Sequence, residues 1–161
     1  MADRPRVFLG TDHAGYELKE RLKALLEADG HEVGDCGAHG YDANDDYPAF
    51  CIEAGRRAVA EGGYGVVLGG SGNGEQIAAN KVPGVRAALC WSPELARLAR
   101  EHNDANVLSL PARFLSEEEA VEVVRAFLAT SFPGDERHVR RIGQISSYEA
   151  GDRPRPAAAG G

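Results

Sequence analysis

Cysteine, long apolar runs and net positive charge are all scarce in this chain, and each shortage removes a class of protein. Cys36, Cys51 and Cys90 are an odd number with no C-x-x-C pair, so neither a disulfide framework nor a zinc knuckle is signalled. A reduced, cytoplasmic setting is then the default expectation. The apolar run within the first ten residues is far too short for a signal peptide or a membrane span, and a soluble intracellular protein is expected. A net charge of −7 argues against binding nucleic acid through the overall field. No internal repeat is visible.

What is present suits one α/β domain. With 161 residues, 43% of them hydrophobic, the chain can build a real core. The domain is expected over residues 1–150, followed by a Pro, Ala and Gly tail at 151–161 with no periodicity, expected to be disordered. Strands are predicted at 7–10, 31–37, 65–69, 87–90 and 107–110. The third, Gly-Val-Val-Leu-Gly, is uncharged, as parallel strands covered on both faces tend to be. Leu18, Leu22, Leu25 and Leu26 make one helical stripe, and a second helix is predicted over 47–61. Ser92-Pro93 supplies an N-cap and N1 proline for a helix running to about 102. Ser116 and Glu119 form a capping box for a helix with Val123, Val124, Phe127 and Leu128 inward. A last helix over 135–148 carries Val139, Ile142 and Ile145 on one side. This alternation implies βαβ units, hence a parallel sheet of about five strands in three layers, with helices on both faces. Ligands of such sheets bind beyond the carboxyl ends of the strands.

The loop after the third strand reads Gly69-Gly70-Ser71-Gly72-Asn73-Gly74-Glu75-Gln76, with a helical pattern from Ile77 to Asn80. Glycines let backbone approach a ligand closely and turn its N–H groups inward. A Walker A loop would end Gly-Lys-Ser/Thr, and this one ends Gly-Glu. A dinucleotide fingerprint starting at Gly70 needs glycine or alanine at position 75, where a carboxylate would repel pyrophosphate. N–H groups beside a carboxylate instead suit proton abstraction next to a carbonyl, the amides holding the enediolate oxygen as charge develops. The plainer alternative is a first-turn Glu75 that offsets the helix dipole. Asp12 and His13 follow the first strand, where Asp12 also suits a helix cap. His102 and Asn103 end a helix, a place that favours protonated imidazole and fits either a ring-opening acid or a C-cap.

Taken together, Gly10-Thr11-Asp12-His13-Ala14-Gly15-Tyr16, Asp46-Tyr47-Pro48, Gly69 to Gly74 and His102-Asn103 closely resemble the type B ribose-5-phosphate isomerase family, which includes galactose-6-phosphate isomerase subunits. The resemblance runs from about Arg6 to Tyr148. It implies a doubly wound, Rossmann-like sheet and a homodimer or dimer of dimers with active sites shared between subunits. The implied reaction interconverts ribose 5-phosphate and ribulose 5-phosphate without metal or other cofactor. By resemblance, Glu75 is the base. Ser71 stands where many members carry a cysteine base, and relays a proton. Gly70, Gly72, Asn73 and Gly74 form the anion hole. His102 opens the ring, Asn103 and Asp12 contact sugar oxygens, and Tyr47 lines the pocket.

Arg137, His138, Arg140 and Arg141 form a basic run in an acidic chain. Arg137 and Arg141 share a helical face, which on residues alone reads as a solvated surface or a phosphate site. The resemblance makes them a phosphate clamp, often lent by the neighbouring subunit, joined by His13 and Arg113. Asp42, Asn44, Asp46 and Glu53 match positions 1, 3, 5 and 12 of a calcium loop, but Tyr47 replaces the required glycine, so calcium is not expected. Cys51 and Cys90 read as buried structural residues. Three rivals remain at this point: the same chemistry on a six-carbon aldose phosphate; a non-catalytic sugar-phosphate sensor, which would need neither Glu75 nor His102; and, more weakly, a metal-dependent isomerase, for which no close pair of His and carboxylate ligands at helical spacing appears.

Overall fold

A computed structural model describes residues 4–158 of the chain. The Val7–Thr11 strand (β1) is buried along its whole length. Asp12 ends it, accepting the Ala14 N–H at 2.9 Å and so capping a 3-10 turn over His13–Gly15 that enters α1, Tyr16–Ala28. The leucine stripe of α1 behaves as its spacing predicts. Leu22 and Leu26 are buried, and Leu18 and Leu25 pack against the same core.

The second strand, β2, covers only Val33–Asp35 within the expected 31–37. Bonds from Cys36 N to Leu9 O and from Ala38 N to Thr11 O nonetheless prolong its contact with β1. Then follow α2 (Pro48–Glu61), β3 (Tyr64–Gly69), α3 (Asn73–Ala79), β4 (Ala87–Leu89), α4 (Pro93–Asn103), β5 (Val107–Pro111), α5 (Glu117–Ala129) and α6 (Glu136–Glu149). Two caps form as read from sequence. Ser92 Oγ accepts the Leu95 N–H at 3.2 Å, and Ser116 Oγ accepts the Glu119 N–H at 3.1 Å. One boundary differs. Helix α3 opens at Asn73, four positions before the expected Ile77, because the glycines that suggested a loop also fit a first helical turn.

All strand pairs are parallel, in the order β2-β1-β3-β5-β4. Successive strand residues supply opposite faces. Val7, Leu9, Val66, Leu68, Leu108 and Leu110 join Leu22, Ala96, Val123 and Phe127, so α1, α4 and α5 cover one face. Phe8, Val67 and Val107 join Cys51, Ala54, Ala58, Ala78 and Ala79, so α2 and α3 cover the other. The chain leaves β1 for β2 on one side and reaches β3 on the other. That reversal opens a crevice between the carboxyl ends of β1 and β3, the usual ligand site of a doubly wound sheet.

Helix α6 lies outside these layers. Its Val139, Ile145 and Tyr148 are exposed, and only His138 is buried. Residues 151–158 of the expected tail are exposed turn and coil, and its last three positions lie outside the described residues. No helix among the described residues is long and apolar enough to cross a membrane.

Candidate active site

Glu75 sits in the first turn of α3 and is only 5% exposed. Its carboxylate folds back over β3 and occupies the space that a Cβ on Gly69 would need. Glycine at that position is therefore a requirement of close approach. Gly72, with φ of 78°, is the left-handed turn that lets the chain reverse from β3 into α3. The first intrahelical bond is Gln76 N to Gly72 O at 3.0 Å, so the amides ahead of it have no helical acceptor. The Asn73 amide is taken up by Ser71 Oγ at 3.3 Å, and Asn73 Nδ2 donates to the same hydroxyl at 3.1 Å. Burial pushes the Glu75 carboxyl above its ordinary range; its own backbone N–H opposes the shift and the Asp12 charge adds to it.

The other loops of the carboxyl edge close around this group. Tyr47, at the start of α2, lays its hydroxyl over Gly74, and Arg113, just past β5, lays its guanidinium over Gly70, with Nη1 3.2 Å from where a Cβ would stand. His13 donates its backbone N–H to Asp45 Oδ1 at 2.9 Å and brings ring Nδ1 to the same oxygen at 2.8 Å. Asp12, His13 and Asp45 bring ligand atoms within 4.8 Å of one another. His13 Nδ1 is engaged by Asp45, however, and Asp12 Oδ1 by the Ala14 N–H.

His102 and Asn103 lie elsewhere. Helix α4 runs back from β4 toward the start of β5, so its last turn stands at the amino edge of the sheet. Arg86, immediately ahead of β4, donates to Asn103 O at 2.9 Å and to Asp104 O at 2.8 Å there. The His102 ring stacks on His138 of α6, centroids 4.4 Å apart and planes 17° from parallel. Desolvation lowers the His138 pKa, with His102, Arg137 and Arg141 acting in the same direction. Arg140 is paired with Glu136 at 2.7 Å. Among the described residues Arg113, Arg137 and Arg141 have no carboxylate within ion-pair distance. The expected site residues thus form two groups. Asp12, His13, Tyr47, Gly70 to Glu75 and Arg113 gather at the carboxyl edge; His102, Asn103, Arg137 and Arg141 gather at the other.

A profile of the Ribose/Galactose Isomerase family matches residues 7–145. The chain is 57% identical over 145 residues to ribose-5-phosphate isomerase B of Mycobacterium tuberculosis (strain H37Rv), covering 89% of this chain and 90% of that protein. It belongs to the Ribose/Galactose Isomerase family. Two solved structures agree. The ribose-5-phosphate isomerase B of Mycoplasma genitalium, with bound ribulose-5-phosphate, superposes with a TM-score of 0.87 at 40% identity, covering 91% of this chain and 97% of that one. The type B enzyme of Trypanosoma cruzi gives 0.86 at 41% identity, covering 91% and 99%.

In this Ribose/Galactose Isomerase chain, a groove of about 490 Å³ runs beside the glycine loop, lined by Ser71, Asn73, Trp91, Pro111, Phe114 and Leu115, with Glu119 at its end. Trp91 and Phe114 are 59% and 74% exposed. A wider groove of about 1050 Å³ lies between the ends of α1 and α5, lined by Arg4, Asp29, His31 and Arg125; it is remote from every residue of the carboxyl-edge group. Asp45 and His138 join these site groups without a local signal in the sequence. Asp45 falls between the positions that match the calcium template. His138 looks in sequence like one more member of the basic run. No local spacing signals either contact, since both partners come from distant elements.

Proposed function

We propose that this chain interconverts ribose 5-phosphate and ribulose 5-phosphate, with Glu75 as the base. The observation that carries this reading is the enclosed Glu75 carboxylate at the β1/β3 crevice, seated against Gly69 with a raised pKa. On the open-chain aldose, Glu75 removes the C2 proton, and the electron pair moves toward the carbonyl to give an enediolate. Amides between Gly70 and Gly74 not already bonded, with the Asn73 N–H held by Ser71 Oγ, take the developing negative oxygen, each such donor contributing roughly 3 kcal/mol. Ser71 Oγ carries the proton between O1 and O2, and Glu75 returns its proton to C1. A carboxylate with a pKa above its ordinary value binds and releases a carbon-derived proton more evenly near neutral pH.

Ring opening and phosphate binding need a second copy of the chain. Five-residue strands separate the two edges by roughly 16 Å, too far for His102 and Glu75 of one chain to meet on a single pentose phosphate. A homodimer in which one subunit's His102, Asn103, Arg137 and Arg141 approach the other's Glu75, His13 and Arg113 supplies both. The exposed apolar residues of α6, with Ile52, Val59 and Ile77 on α2 and α3, give such a pair surface to bury. A panel of kcat/KM values for the phosphates of ribose, allose and galactose tests the substrate. Ribose 5-phosphate is expected to lead; no turnover of it would sink the reading.

A further inference from the structure

We infer that Asp45 is a positioning residue for His13, fixing its imidazole and holding it as the cation that donates from Nε2 to the substrate's phosphate. The inference rests on the reading above that His13 faces the phosphate, and it adds the group that makes His13 able to do so.

One carboxylate oxygen, Asp45 Oδ1, meets both the backbone N–H and the ring Nδ1 of His13, at 2.9 and 2.8 Å. Two bonds from one atom set both the backbone position and the ring orientation, which leaves Nε2 as the outward nitrogen. An ionised carboxylate only accepts, so Nδ1 must carry a proton. A neutral imidazole with that proton on Nδ1 presents a lone pair at Nε2, which would face a phosphate oxygen unfavourably. Only the imidazolium donates from both nitrogens. Phosphate contact by His13 therefore depends on the second proton, and Asp45 is placed to retain it.

The groups facing the ring act in one net direction. The hydrogen bond to Asp45 raises the His13 pKa most; desolvation opposes it, the charges of Asp12 and Asp45 add to it, and Arg113 lowers it, leaving His13 above its ordinary 6.5. Asp12 Oδ2 stands 4.0 Å from Nδ1, and Tyr41 packs edge-on with ring centroids 6.4 Å apart.

Asp45 is not a loose surface acid. Its own N–H bonds to Asp42 O at 3.1 Å, and Asp42 Oδ1 accepts the Asn44 N–H at 3.0 Å, so a closed turn presents it. Upstream, the fully buried Lys19 ties the same loop down through Ala38 O. The second oxygen, Oδ2, is buried with no hydrogen-bond partner among the described residues. A carboxylate enclosed in this way is compensated chiefly by the imidazolium beside it.

The test is an NMR titration of the histidine ring signals of the full-length protein, with His13 assigned through His13→Gln, paired with KM for ribose 5-phosphate between pH 6 and 8. In the wild type His13 should titrate above 6.5; a midpoint below that value overturns the inference without any variant at Asp45. Asp45→Asn keeps an oxygen acceptor and removes the charge. It should lower the midpoint by about one pH unit, leave KM at pH 6 nearly unchanged, raise KM at pH 8 by about fivefold to tenfold, and keep kcat within about twofold. A merely structural role would raise KM at every pH alike. An unmoved His13 midpoint in Asp45→Asn overturns the pairing. A lowered midpoint with KM unchanged at both pH values keeps the pairing but removes His13 from the phosphate, and so counts against the binding reading instead.

Discussion

On the proposed mechanism, Glu75 carries a conflict between stability and chemistry in a single side chain. Its folded pKa lies above its ordinary 4.5 because burial disfavours the charge. A group shifted in that direction favours folding below the ordinary value, and that contribution is lost as pH rises through the folded value. At neutral pH the charged, enclosed carboxylate is therefore a cost to the fold. Glu75→Gln should lower kcat at least about 100-fold with little change in KM, while its Tm at pH 7.5 equals or exceeds that of the wild type. Thermal unfolding and a progress-curve assay on the same sample decide both; near-normal turnover would remove Glu75 as the base. Glu75 was legible in sequence as a candidate base because everything that suggests that role is local: a buried strand, a run of glycines, and an acid where a nucleotide loop cannot have one. Asp45 was not, since its meaning appears only when the loop after β2 folds against the turn after β1.

Among the elements, the loop from β2 to α2 has the clearest internal anchor. Lys19 is fully buried on α1 and donates to Asp35 Oδ1 at 2.7 Å and to Ala38 O at 2.6 Å. Burial pushes the Asp35 carboxyl up, but the bonds from Lys19, the Gly37 N–H and Lys23 outweigh it and hold the group below its ordinary 3.8. Stability from such a group is present above the ordinary value and is lost as pH falls through the folded one. Removing the lysine leaves a mostly buried carboxylate without its nearest cation. Lys19→Ala should cost about 3–5 kcal/mol by urea unfolding at pH 7, with a smaller difference from wild type near pH 2.5. A loss under about 1 kcal/mol would mean that Lys23 and water replace it. Strands and helices were read well where periodicity is strong, as in α1 and β3. The start of α3 was read late because glycine weakens a helical pattern without preventing a first turn. The exposure of the α6 stripe could not be foreseen, since the same spacing describes a helix packed on its own core and one waiting for a neighbour.

At the level of the whole molecule, the separation of the two residue groups makes a quantitative demand. If a two-fold dimer completes each site from both subunits, Glu75→Gln and His102→Asn damage different halves of it. Each variant alone should be nearly inactive. Mixed in equal amounts and allowed to exchange, half the dimers become hybrids with one intact site of two, and activity should return to about a quarter of wild type. No recovery, with subunit exchange shown by mass spectrometry, would place both residues in one chain's site. The proposed pairing rests on the resemblance, because one sequence describes one chain and neither composition nor spacing says which edge of the sheet meets which.

The lone tryptophan of the chain stands on the rim of the groove beside Ser71 and Asn73. An indole so placed offers a built-in optical reporter: on the proposed reading, a sugar phosphate settling against the glycine loop would change the polarity around it and shift its emission. If emission responds in this way, affinity becomes measurable without label or coupled enzyme, including in Glu75→Gln, so that capture and conversion can be followed as separate events.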